Sequence, residues 1–156
     1  MADLEVSFEP LGEEELKTFF DGVRGGYVEE LVATGVSFDD ASTQADAVQA
    51  RIAPDGRPAP GQLVGHVMVS SRPIGVLWVG PAGSDPARWW VFDIVIDEEW
   101  RGKGFGRQAM LLAEQIAREH GATSIGLNVF ARNTVAVSLY NSLGYTEGSL
   151  QMSKSL

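Results

Sequence analysis

Between Arg101 and Arg107 the chain reads Arg-Gly-Lys-Gly-Phe-Gly-Arg, three glycines and three cations in seven positions. A buried, apolar run precedes it and an amphipathic run follows. That order is suited to one task. The first turn of a helix carries backbone N–H groups without intrahelical partners, and the helix dipole adds partial positive charge there. A loop with little side-chain bulk lets an anion approach those groups closely. The stretch is read as a cradle for a phosphate or pyrophosphate. One further residue carries chemistry by its type and place. Asp93 is a lone acid within the apolar run Trp89–Ile96. Burial would raise its pKa and make it a proton acceptor; the alternative is an acid paired with an arginine or neighbouring backbone.

The elements that must position these residues follow from periodicity. Glu5–Glu9 alternates and reads as a short strand. Leu16, Phe19, Phe20, Val23, Tyr27, Leu31 and Val32 recur at helical spacing, giving a helix over Glu13–Thr34. Gly22, Gly25 and Gly26 lie inside it, each costing about 1 kcal/mol relative to alanine, so a kink or break is expected there. A second helix runs from Asp39 or Asp40 to about Arg51, capped by Ser37 or Asp39. Ala53–Gly61, rich in proline and glycine, is a loop. Leu63–Ser70 and Ile74–Val79 form an antiparallel hairpin around Ser71-Arg72-Pro73. Trp89–Asp97 is a strand apolar at nearly every position, so buried on both faces. A helix from Phe105 to Gly121, a buried strand over Ile125–Phe130, a helix over Asn133–Ser142 and a closing strand or strand pair over Tyr145–Met152 complete the chain. The order is β-α-α-β-β-β-α-β-α-β(β), a mixed α/β fold in one domain, residues 1–156, with helices on both faces of the sheet.

Composition narrows the partners. The 156 residues hold no cysteine and two histidines, which excludes a disulfide framework and makes a metal site implausible. Acids outnumber bases 21 to 12, for a net charge of −9. That argues against a nucleic-acid binder and is compatible with a cationic substrate. No apolar run is long enough for a bilayer, and Met1–Pro10 lacks a leader pattern, so a soluble cytoplasmic protein is expected.

The nature of the anion can be tested against other patterns. Gly104-Phe105-Gly106-Arg107-Gln108-Ala109 satisfies a relaxed dinucleotide motif, but the next strand carries no ribose-binding acid. The Walker pattern is absent. Arg101-Gly102-Lys103-Gly104-Phe105-Gly106 instead resembles the R/Q-x-x-G-x-G/A signature of the GNAT acetyltransferase superfamily, with Trp100 as the preceding aromatic. Asn128-Val129-Phe130-Ala131-Arg132-Asn133, followed by Ala136, Tyr140 and Leu143-Gly144-Tyr145, is similar to that superfamily's second block, and Met152-Ser153-Lys154 to many of its termini.

The resemblance implies a largely antiparallel central sheet and transfer of an acetyl group from acetyl-CoA to a primary amine. It implies that the backbone of Arg101, Gly102, Lys103, Gly104, Phe105, Gly106 and Arg107 holds the pyrophosphate. It implies that Ile94, Val95 and Ile96 pair with the pantetheine arm, and that Asn128 and Asn133 contact it. A helix cap explains Asn133 equally well, and a structural polar role explains Asn128. By the same resemblance Tyr140 is the acid for the leaving thiolate, its hydroxyl donating to the sulfur; the alternative is a ring packed in the core. Asp93, from its place in the apolar run, is the base or amine anchor. Tyr27 and Trp78 are candidates for the acceptor pocket. A non-catalytic coenzyme A sensor is the alternative function. The acceptor's identity and a homodimer stay open, and no metal, nucleic acid or membrane is expected.

Overall fold

The computed structural model describes residues 4–156. Five strands form one sheet in the order β1-β2-β3-β4-β5: Val6–Pro10, Leu63–Val69, Arg72–Pro81, Arg88–Ile96 and Ser124–Leu127. Neighbours are antiparallel except β4 and β5, which run parallel. Helices α1 (Glu13–Ala33) and α2 (Phe38–Ile52) precede the hairpin; α3 (Phe105–Glu119) and α4 (Thr134–Ser142) flank β5 in sequence.

The sheet is covered on both faces, as the order of elements implies. On one face Val67, Leu77, Val79, Trp89 and Val91 pack against Ala109, Met110, Ala113 and Ile116 of α3. On the other, Phe20 of α1 packs edge-on to Trp78 at 5.1 Å, and Phe92 stacks on Trp78 at 4.9 Å. Fully burying side chains of this size contributes roughly 1.5–3 kcal/mol each. Gly126 of β5 is needed where it stands: a Cβ there would lie 2.4 Å from the Trp90 ring.

Three expectations are corrected. Helix α1 runs unbroken through Gly22, Gly25 and Gly26. Tertiary packing on either side of the glycines overrides their low propensity: Phe20 is anchored on the sheet, and Val28 on Ala41 and Ala45 of α2. The strand expected over Ile125–Phe130 is shorter, Ser124–Leu127, and only half-buried, because it is the sheet's edge. The closing strand over Tyr145–Met152 does not form. Gly148 interrupts the segment and weakens it as a strand, and Leu150 and Met152 stay 65% and 83% exposed.

Candidate active site

The glycine-rich loop makes the turn from β4 into α3. Gly102 and Gly104 adopt left-handed φ of 71° and 85°, which only glycine enters cheaply. Gly104 is the N-cap of α3 and supplies no side-chain cap. Gln108 N–H donates to Gly104 O at 3.2 Å, closing the first helical turn. The N–H groups of Phe105, Gly106 and Arg107 therefore have no intrahelical acceptor and point out of the helix end.

Each of the loop's cations makes one hydrogen bond within the chain. Arg101 Nε donates to Ile96 O at 2.7 Å and clamps the loop onto the end of β4. Lys103 Nζ donates to Glu99 O at 3.0 Å and lies over the Trp100 ring. Arg107 donates to Ser142 Oγ at 2.8 Å, tying α3 to α4. The loop is thus pinned at both ends, and each cation keeps further N–H donors beside the open backbone N–H groups. Trp100 packs edge-on to Phe105 at 5.5 Å and fixes the loop from below.

A β-bulge shapes the strand before the loop. Trp78 pairs with Asp93 but Val79 with Val91, so Phe92 is an extra residue on β4. Strict alternation would put Asp93 on the face of both Val91 and Val95. The bulge moves it to Trp78's face, away from Val91, which packs toward α3. Pairing between β4 and β5 ends at Val91 and Leu127, so the two strands part where the bulge begins. Asp97 N–H donates to Ile74 O on β3, and alternation from there turns the backbone of Ile94 and Ile96 toward the opening. The Ile96 carbonyl is taken by Arg101, and Val95 is paired with Val76 of β3.

Asp93 is half-buried in this opening. Burial raises its pKa above the ordinary carboxylate value, and the Ile94 N–H pulls it part-way back. Tyr140 is half-buried on α4, raised first by burial and then by the charge of Asp93, so the two groups lie within electrostatic reach. A cavity of about 640 Å³ runs along β5 and α4, lined by Trp90, Asn128, Tyr140 and Tyr145 among others. Asn128 lies just past β5 and is exposed. Asn133 caps α4, its Oδ1 accepting from Ala136 N–H at 3.3 Å. Trp78 is 6% exposed, its indole N–H donating to Gln62 Oε1. Tyr27 packs between α1 and α2, apart from these groups.

The structure thus places Asp93 within electrostatic reach of Tyr140, and ties the loop to the end of β4 through Arg101 and to α4 through Arg107. Tyr145, quoted in the second block but given no role there, lines the 640 Å³ cavity beside Tyr140; its position after Gly144 was the available signal. Among the described residues no cluster of three or more His, Cys, Asp or Glu side chains is arranged to hold a metal ion. Among the described residues no helix is long and apolar enough to cross a membrane.

A family model for the acetyltransferase (GNAT) family matches residues 24–145. The chain belongs to the GNAT acetyltransferase family. This GNAT chain is 29% identical over 154 residues to the uncharacterized N-acetyltransferase YycN of Bacillus subtilis (strain 168), covering 97% of this chain and 99% of that one. The crystal structure of YycN superposes with a TM-score of 0.82 at 28% identity, over 97% and 98% of the two chains. An aminoglycoside N-acetyltransferase, AAC(6')-Iy, in complex with CoA, shares the fold with a TM-score of 0.54 at 14% identity, over 97% and 95% of the chains. The GNAT assignment makes the protein an acyltransferase, with the cleft between β4 and β5 as its candidate active site.

Proposed function

We propose that the protein is an N-acetyltransferase that moves an acetyl group from acetyl-CoA directly to a primary amine. The observation that carries this is the set of open N–H groups at the start of α3, set immediately beyond the unpaired edge of β4. A pyrophosphate fits the first, and an extended amide-bearing arm fits the second. Acetyl-CoA, when bound, supplies an activated acyl group as a thioester.

Each remaining part is assigned to this chain. The backbone N–H groups of Gly102 to Arg107 bind the diphosphate, and Arg101 holds the loop in register. Ile94 presents its carbonyl to the pantetheine arm, and Val95 and Ile96 flank it; Asn128 and the free amide nitrogen of Asn133 reach it from the other side. Asp93, half-buried, takes the proton that an alkylammonium must lose before it attacks. The Ile94 N–H is the donor nearest the opening for the oxyanion that develops on the acyl carbon. Tyr140 donates to the departing thiolate, its raised pKa keeping it protonated at neutral pH. Trp78 forms the floor beneath Asp93, whereas Tyr27 is left to the α1–α2 contact.

Parallel calorimetric titrations with acetyl-CoA, coenzyme A and NAD test the donor. Binding confined to the two coenzyme A species supports it; binding of NAD alone, or of none, removes it. Thiol release across an amine panel then separates an enzyme from a coenzyme A-binding sensor.

A further inference from the structure

We infer that Tyr145 is a positioning residue for Tyr140, its hydroxyl anchored by Glu114 of α3. The inference rests on the reading of Tyr140 as the acid for the thiolate. It starts from the way α4 ends. Gly144 turns the chain with φ of 92°, and Tyr145 N–H donates back to Tyr140 O at 3.0 Å. The turn brings the two rings together edge to face, centroids 6.0 Å apart and planes at 61°. Such an aromatic pair has a preferred geometry, so the placement of one ring restricts the other.

What fixes Tyr145 is at its other end. Its hydroxyl is buried and makes no hydrogen bond, and Glu114 Oε2 is in the same condition. Both residues line the cavity that also contains Tyr140. The other carboxylate oxygen of Glu114 faces Arg118 at 3.6 Å, which leaves Oε2 as the one without a counterpart. A buried phenol and a buried carboxylate that line one cavity form a donor–acceptor pair, direct or through one water. Burial and the charge of Glu114 push the Tyr145 phenol up to about 12, so it stays protonated and able to donate. With that anchor Tyr145 forms a fixed wall behind Tyr140. Without it the Tyr145 ring is free to turn into the cavity, and Tyr140 loses the contact that aims its hydroxyl at the β4–β5 opening.

The chain has three tyrosines, Tyr27, Tyr140 and Tyr145, so 3-fluorotyrosine labelling gives three fluorine NMR signals, assigned by Tyr→Phe substitution. Coenzyme A should move the Tyr140 signal and leave Tyr27 unmoved. In Tyr145→Phe and in Glu114→Gln the Tyr140 signal should broaden or shift before ligand is added, with Tyr27 again unmoved as a check on folding. A Tyr140 signal identical to the parent's, with the same response to coenzyme A, overturns the inference and leaves the catalytic reading intact. No response of Tyr140 to coenzyme A in the parent protein removes both. In turnover, Tyr145→Phe should lower kcat about 10-fold, the scale expected for a misaimed group, with KM for acetyl-CoA unchanged. The same substitution made on Tyr140→Phe should then add nothing. An equal loss in both backgrounds means a structural role alone.

Discussion

At the scale of single residues, Tyr140 and Asp93 are distinguished by what each substitution should spare. Tyr140→Phe keeps the ring that packs beside α3 and removes only the donor. It should lower kcat about 100-fold or more, the usual scale of general acid catalysis, with coenzyme A affinity by calorimetry unchanged. Asp93 carries a cost that the fold accepts. Its pKa is raised, so the folded protein holds the proton more tightly than the unfolded chain. Stability from this group is therefore greatest below the ordinary carboxylate range. It is lost as pH rises from there through the raised folded-state value. Asp93→Asn should raise Tm at neutral pH, the gain vanishing in acid, while turnover is abolished. A Tm gain that is the same at every pH would mean that Asp93 titrates as an ordinary acid.

At the scale of elements, the start of α3 and the start of α4 make separable predictions. Gly104 has φ of 85°, so Gly104→Val imposes about 1–2 kcal/mol of backbone strain and closes the approach to the α3 N–H groups. Its coenzyme A affinity should fall at least tenfold, while its circular dichroism stays that of the parent. Asn133 has two readings that one pair of variants separates. Asn133→Ala removes the cap and should cost about 1 kcal/mol in denaturant melts; Asn133→Asp should retain the cap. If coenzyme A affinity falls in both, the amide nitrogen binds the cofactor; if it falls in neither, Asn133 is a cap alone. The bulge at Phe92 is the element that makes the site, because it both swings Asp93 to Trp78's face and coincides with the parting of β4 from β5.

At the scale of the whole molecule, the net charge of −9 attracts cations over distances comparable to a Debye length. For a dicationic amine acceptor, kcat/KM should fall several-fold as salt is raised from about 0.01 to 0.15 M; a zwitterionic amino acid should show little change. Equal salt dependence for both would show that the field does not reach the site. The sequence by itself determined the loop and its neighbours, because their signals are local. Glycine alternating with cations, the apolar run before them and the α3 stripe all depend on near neighbours in the chain, as do Ser37 and Asn133 as caps. Only the tertiary structure decided what depends on partners distant in sequence. Helix α1 stays whole because α2 and the sheet hold both its halves. Residues after Tyr145 form no strand, and Leu150 and Met152 stay exposed. Arg101 became a clamp through a carbonyl of β4, and Asp93 changed face because a bulge breaks the two-residue period. A bulge is set by the register of two strands, and register is a property of their pairing that neither strand's sequence specifies alone.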